Sequence, residues 1–277
     1  MNLSTEYNES LVLNSVEKAL QQASSIPYNN AASIYAAAGQ EPNIRMGGSC
    51  LFKLNKLNDF LPKNGVGNIR FITSSGGNIT HYAMLMEIDG INYYLDPFLW
   101  QEKLMPITED EDVEVETLQK NWILRRGQTE PGSFLSISFV DRIKESEMIN
   151  HQFTNTLDFL PNPSVLPLRP DLPSFMLQLP DNVGEYFYKV WYSKENKQLL
   201  DIWEVQASTG ERRKIPREGI NSNLRAGILE KIENLIGASE QEICDYFARA
   251  HDLEIQLSNL LADEGMDVPN HHSDPVS

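Results

Sequence analysis

Apolar positions in "LVLNSVEKALQQA" (11–23) recur every three to four residues, and so do those in "NAASIYAAA" (30–38). That spacing predicts helices, so residues 3–62 read as helical. After "PKNGVG" (62–67) the pattern changes. "NIRFITSS" (68–75), "HYAMLMEI" (81–88), "INYYLD" (91–96) and "SFLSISFV" (133–140) are short, rich in β-branched and aromatic residues, and separated by turn residues. They are predicted strands. A third region begins near the proline-rich "LPNPSVLPLRPDLP" (160–173). It holds the strand-like "FMLQL" (175–179), "EYFYKVWYS" (185–193) and "LLDIWEVQAS" (199–208), then two amphipathic helices. A capping box, Ser239 to Glu242, opens the last helix. The expected organisation is α+β: a helical lobe over 1–65, a strand-rich lobe over 66–160 and a mixed region over 161–265. The tail 266–277 reads as disordered, and its paired histidines read as bland.

Composition narrows the function classes. A chain of 277 residues can bury a full core, and two or three lobes suit it better than one. The net charge of −16 argues against nucleic acid as a partner, because a phosphate-binding surface needs clustered Lys and Arg. Much of the acidity lies in "TEDEDVEVE" (108–116), expected to be a solvated loop or an exposed edge. The start "MNLSTEYNES" lacks the basic residues and apolar run of a signal peptide, and no apolar stretch reaches membrane-span length. Two cysteines make no disulfide framework and fit a reducing compartment, so the expected location is cytoplasmic, with no membrane partner. No internal repeat is visible.

The most informative local signal is "HYAMLMEIDGINYYLD" (81–96). Asp89-Gly90 between two strand-like runs predicts a hairpin with a two-residue type I′ turn. With Ile88 and Ile91 as the closing pair, Ala83 faces Asp96 and His81 faces Phe98. One face then carries Tyr82, Met84, Met86, Ile88, Ile91, Tyr93 and Leu95, and must be core. The other, less apolar face carries His81, Ala83, Leu85, Glu87, Asn92, Tyr94 and Asp96. His81 and Asp96 are thus diagonal cross-strand neighbours, roughly 7–8 Å apart at the backbone and within side-chain reach. A carboxylate there can fix the imidazole tautomer and stabilise the imidazolium. Against this stands the plain reading of His81 as an ordinary strand residue and Asp96 as a strand end before Pro97.

Cys50 follows Gly47, Gly48 and Ser49 and opens an amphipathic run. At a helix N-terminus the free N–H groups and the macrodipole favour a thiolate. The Gly47–Gly48–Ser49 loop would let an acyl group approach the backbone, whose N–H groups could hold an oxyanion. A buried structural thiol is the alternative. Cys244 and His251 lie seven residues apart on one helix, about 10 Å in rise and too far for direct proton transfer. Both are assigned to packing. His151, in "MINHQFTN" (148–155), has no nameable partner. One Cys, one His and one Asp could bind zinc, but the chain has no CxxC, HxxxH or HExxH spacing, so no metal is expected.

A cysteine after Gly-Gly, a later histidine and an aspartate 15 residues beyond it resemble the arylamine N-acetyltransferases, within the wider papain-like and transglutaminase-like Cys-His-Asp group. "GGSCLFKLN" (47–55) resembles that family's Arg-Gly-Gly-x-Cys segment, and "THYAMLMEIDGINYYLD" (80–96) its His strand, turn and Asp strand. "IPYNNA" (26–31) resembles its Pro-Phe-Glu-Asn segment. The resemblance implies a central antiparallel β-barrel-like lobe, with the third region as an α/β lid. It also implies that Cys50 accepts the acyl group, His81 is its base and Asp96 orients the histidine. An acyl group would pass from an acetyl-CoA-like thioester to Cys50 and then to a small-molecule amine, in ping-pong order. Coenzyme A would be a co-substrate, with no permanently bound cofactor.

The sequence departs from the family pattern in several places. Met46 is inserted after Arg45, Tyr28-Asn29 replaces Phe-Glu, and Pro97-Phe98-Leu99 follows Asp96. These departures leave room for an amide synthase fed by an acyl carrier protein. Transglutaminase-like or thiol-peptidase chemistry on the same three residues is a further alternative. A non-catalytic binding module has no reason to keep Cys50, His81 and Asp96 together. Lys53, Lys56, Arg70, Arg125 and Arg126 are candidates for the coenzyme phosphates, each weighed against an ordinary solvated charge. Acyl group, acceptor and oligomeric state are open at this stage.

Overall fold

The computed structural model describes residues 3–63, 66–74, 81–109, 111–159, 172–217 and 222–263. The tail 266–277 and most of the proline-rich stretch lie outside the described residues. The chain forms two compact units that cut across the three regions of the sequence. One contains 1–25, 53–160 and 207–210; the other contains 26–52, 161–206 and 211–277. The first helix falls in the unit of the strands that follow, and residues 26–52 fall in the unit of the C-terminal part.

In the first unit, helix α1 (Leu3–Ser25) places Val16, Ala19, Leu20 and Ala23 on one buried stripe, the three-and-four spacing of an amphipathic helix. They pack with Met84, Met86, Ile88 and Leu95, the hairpin face expected to be core. The sheet has eight antiparallel strands and is nearly closed. Between β1 (Tyr28–Asn29), which belongs to the second unit, and the hairpin come α2 (Ala32–Ala37), α3 (Cys50–Phe60) and β2 (Ile69–Ser74). The hairpin is β3 (His81–Ile88) and β4 (Ile91–Leu95). Then follow β5 (Met105–Ile107), β6 (Glu114–Glu116), β7 (Trp122–Arg126), β8 (Leu135–Asp141) and β9 (Ser146–Leu157). The strand order is β5-β4-β3-β2-β9-β8-β7-β6. A bridge between Gln101 and Thr117 joins the chain beyond β4 to the chain beyond β6.

The hairpin register agrees with expectation at every recorded pair, from Ile88 opposite Ile91 to Met84 opposite Leu95. Asp89 and Gly90 both have positive φ, 52° and 80°, as a type I′ turn requires. The second hairpin face is the surprise. Ala83, Leu85 and Tyr94 are buried with Ile72, Ile137, Phe139 and Phe153 in a second core, inside the curl of the sheet. A nearly closed sheet buries both faces of its strands, so the face with polar residues is interior too. The acidic segment is as expected: β6 is the last strand in the sheet order, with Glu114 and Glu116 exposed.

In the second unit, β1 pairs with β10 (Ser174–Pro180), and the sheet continues through β11 (Tyr186–Ser193), β12 (Gln198–Gln206) and β13 (Arg212–Ile215). Helices α4 (Ser222–Ile236) and α5 (Glu240–Asp263) bury Ile228, Ile232, Ile243 and Phe247 against Leu177, Val190 and Ile202. The capping box forms: the Glu242 carboxylate accepts from the Ser239 amide at 2.7 Å, and the Ser239 hydroxyl accepts from the Glu242 amide at 3.3 Å. No helix among the described residues is long and apolar enough to cross a membrane.

Candidate active site

His81 and Asp96 meet as the hairpin register demands. His81 is 2% exposed and Asp96 is fully buried. Imidazole Nε2 lies 2.5 Å from Asp96 Oδ2. The same oxygen accepts the Tyr94 hydroxyl at 2.8 Å, and Oδ1 accepts the Phe98 amide at 3.0 Å. The Asp-Pro step explains the last bond. Asp96 caps a 3-10 turn over Pro97–Leu99, with proline in the first position, where its missing N–H is not needed. Gln101 clamps the strand end: its Oε1 accepts the Asp96 amide at 2.8 Å, and its Nε2 donates to the Tyr94 carbonyl at 2.9 Å.

Burial pushes the Asp96 carboxyl up, but the charge and hydrogen bond of His81, the Tyr94 hydroxyl and the nearby His151 outweigh it. The carboxyl is held below its ordinary range. Asp96 is therefore a carboxylate that accepts from three donors. A carboxylate on Nε2 takes its proton-bearing nitrogen and leaves Nδ1 of neutral His81 as the lone-pair atom. The pair thus has a fixed tautomer.

His151, without a partner in the sequence reading, stacks on His81. The ring centroids are 4.2 Å apart and the planes are 20° from parallel. Burial, helped by the His81 charge and opposed by Asp96, lowers the His151 imidazole to about 4. The signal for it was present but weak. Ile149, His151 and Phe153 alternate along β9, and His151 pairs across to the fully buried Ile137. β9 is otherwise mostly polar and largely exposed, so it does not read as a strand.

In the second unit, Cys50 opens α3 and is half-buried. Ser49 is the cap: its hydroxyl accepts the Phe52 amide at 3.3 Å. The two glycines have local reasons. Gly47 has φ +80°, and a Cβ there would lie 1.9 Å from the Pro27 carbonyl oxygen. A Cβ on Gly48 would lie 2.0 Å from the Phe52 ring. Their amides are already used, Gly47 by the Ile44 carbonyl at 3.0 Å and Gly48 by the Pro27 carbonyl at 2.9 Å. Within the loop, only the Ser49 and Cys50 amides carry no hydrogen bond among the described residues. Tyr28 is neighbour to Cys50: burial pushes its hydroxyl up, and the sulfur's charge adds to that.

The "IPYNNA" segment has a structural task. Asn29 Nδ2 donates to the Met46 carbonyl at 2.6 Å and its Oδ1 accepts the Ala32 amide at 2.7 Å, tying α2 to the glycine loop. Arg45 donates to the Gly237 carbonyl at 2.7 Å, at the end of α4.

The phosphate candidates fare differently from expectation. Lys53 is fully buried and donates to the Ser24 carbonyl at 3.1 Å, with its ammonium 4.9 Å from the Trp100 ring centre. It is not a surface charge. Lys56 pairs with Asp59, Arg125 with Glu114, and Arg70 donates to Asn92 at 2.9 Å. Cys244 lies half-buried at the margin of the second-unit core, where burial pushes its thiol up. No cluster of three or more His, Cys, Asp or Glu able to hold a metal occurs among the described residues.

No protein-family model matches the chain, and no curated protein does. Solved structures do. The arylamine N-acetyltransferase from Mycobacterium abscessus superposes with a TM-score of 0.55 at 13% identity, over 87% of this chain and 88% of that one. Arylamine N-acetyltransferase C from Bacillus anthracis gives 0.54 at 17% identity, over 82% and 92%. The chain has the arylamine N-acetyltransferase fold.

Proposed function

We infer that the protein is an acyltransferase that carries its acyl group on Cys50 and delivers it to an amine. The observation that carries this is the buried His81–Asp96 pair, with Nε2 held by a carboxylate whose two oxygens are both hydrogen-bonded, in a chain of this fold. A carboxylate that orients an imidazole and stabilises its charged form suits proton transfer.

The steps balance as follows. In this reading His81 takes the Cys50 proton as the sulfur attacks the carbonyl carbon of a thioester such as acetyl-CoA. The oxyanion is held by the Cys50 or Ser49 amide. The new S–C bond forms, the donor's C–S bond breaks, and the imidazolium returns its proton to the departing thiolate. An amine then attacks the cysteinyl thioester. Its N–C bond forms, its proton passes to His81, and Cys50 leaves as thiolate. Asp96 keeps its carboxylate throughout and stabilises the imidazolium.

Initial-rate kinetics with acetyl-CoA and an arylamine or hydrazine test the scheme. Parallel double-reciprocal lines are expected, with coenzyme A release persisting slowly without acceptor. Intersecting lines would contradict a covalent intermediate. Turnover with an acyl carrier thioester but none with coenzyme A thioesters would assign the donor to a carrier protein and keep the mechanism.

A further inference from the structure

We propose that His151 is a positioning residue for His81: its stacked ring fixes the plane of the catalytic imidazole and gives the imidazolium a neutral aromatic face. This rests on His81 being the base of the proposed reaction. The two rings are 4.2 Å apart and nearly parallel, and Phe153 packs at 6.3 Å from His81 and 6.2 Å from His151. The hydrogen bond to Asp96 fixes one end of the His81 ring and Phe98 lies tilted at 5.4 Å from it. His151 is the ring that lies parallel to His81 and resists its rotation out of that plane. Further, a cation is attracted to a neutral aromatic face held close over it, and that attraction is larger out of water.

A histidine at this place is costly. Its Nε2 is buried and accepts or donates no hydrogen bond among the described residues. Its burial keeps His151 neutral at neutral pH, so only one charge forms in the stack. Among the described residues, the charged and titratable groups recorded against the pair are Asp96 on Nε2 of His81 and the Tyr94 hydroxyl on that carboxylate. From β2 comes the Ser74 hydroxyl, which accepts the His81 amide at 3.2 Å.

The test is a pH titration of the imidazole nitrogen resonances of the full chain, in wild type, His151→Leu and His151→Phe. The His81 midpoint should fall by about 0.5 pH unit or more in His151→Leu, where the aromatic face is lost. It should stay within roughly 0.2 unit in His151→Phe, where the face is kept. If His151→Leu does not fold, His151→Asn replaces it with the same expected fall. An unchanged midpoint without the ring, or an equal fall with phenylalanine, would overturn the proposal. The titration reads His81 whether or not Cys50 is ever acylated, so its outcome is separate from that of the proposed function. Where turnover is present, kcat/KM should drop roughly tenfold in His151→Leu and recover in His151→Phe.

Discussion

At the scale of single residues, the account turns on what Asp96 accepts. Asp96→Asn keeps the shape but offers His81 an amide, which favours the wrong tautomer. The rate should fall by roughly three to four orders of magnitude, measured as kcat. Tyr94→Phe removes one of three donors to a charged group, a loss of about 1.5–3 kcal/mol for the carboxylate. Its activity should fall far less than in Asp96→Asn, and its pH–rate profile should shift. Equal losses in the two variants would mean that Asp96 acts through packing alone. The pairing of His81 with Asp96 was legible in the sequence, because Asp89-Gly90 sets the register and the period of two fixes the face. Tyr94 lies on the same face, but a tyrosine in an apolar strand reads as core. Lys53 reads as a surface charge, because its burial depends on Trp100 and Ser24, both far away in sequence.

At the scale of elements, the glycine loop and α3 form one device. Gly47→Ala strains a positive φ and drives a methyl into the Pro27 carbonyl, with no flexible neighbour to yield. It should cost more than about 3 kcal/mol, seen in urea denaturation, while Gly39→Ala, with nothing near its Cβ, costs only the backbone strain. Ser49→Ala should cost about 0.5–2 kcal/mol through loss of the cap. A Gly47→Ala protein as stable as wild type would refute the close approach. The sequence showed that glycine mattered here but not why, since Pro27 lies twenty residues upstream. Some strands are not legible in the sequence for a physical reason. β5 and β6 have three residues each, and β9 carries its apolar residues amid polar, exposed ones. Sheet pairing, not local preference, makes them strands.

At the scale of the whole molecule, burial of ionisable groups sets how stability varies with pH. His151 is lowered in the folded chain to about 4 from an unfolded value near 6.5. The unfolded chain therefore binds the extra proton between those values, and stability falls as pH falls through that window. His251, also lowered by burial, adds to the same slope. Asp96, depressed in the folded state, contributes above the usual carboxylate range and loses that contribution as pH falls below it. Thermal melting should drop from pH 7 to pH 4, less steeply in His151→Leu; an identical slope would count against the buried, neutral His151. In the second unit the buried Lys194–Glu254 pair, at 2.7 Å, should make Lys194→Met costly by about 3–5 kcal/mol, because Glu254 is left buried without its partner. The division into two units was not legible as a boundary in the sequence, because residues 26–52 join a sheet whose other strands begin at Ser174. The order of helices, strands, and then strands with helices was legible from spacing alone. The measurement that tests the central claim most directly is intact-protein mass spectrometry after incubation with acetyl-CoA and longer acyl thioesters, beside Cys50→Ala and Cys244→Ser. The account predicts one acyl mass on the wild-type and Cys244→Ser proteins, removed by hydroxylamine and absent from Cys50→Ala. An adduct that survives in Cys50→Ala, or full turnover by that variant, would contradict it.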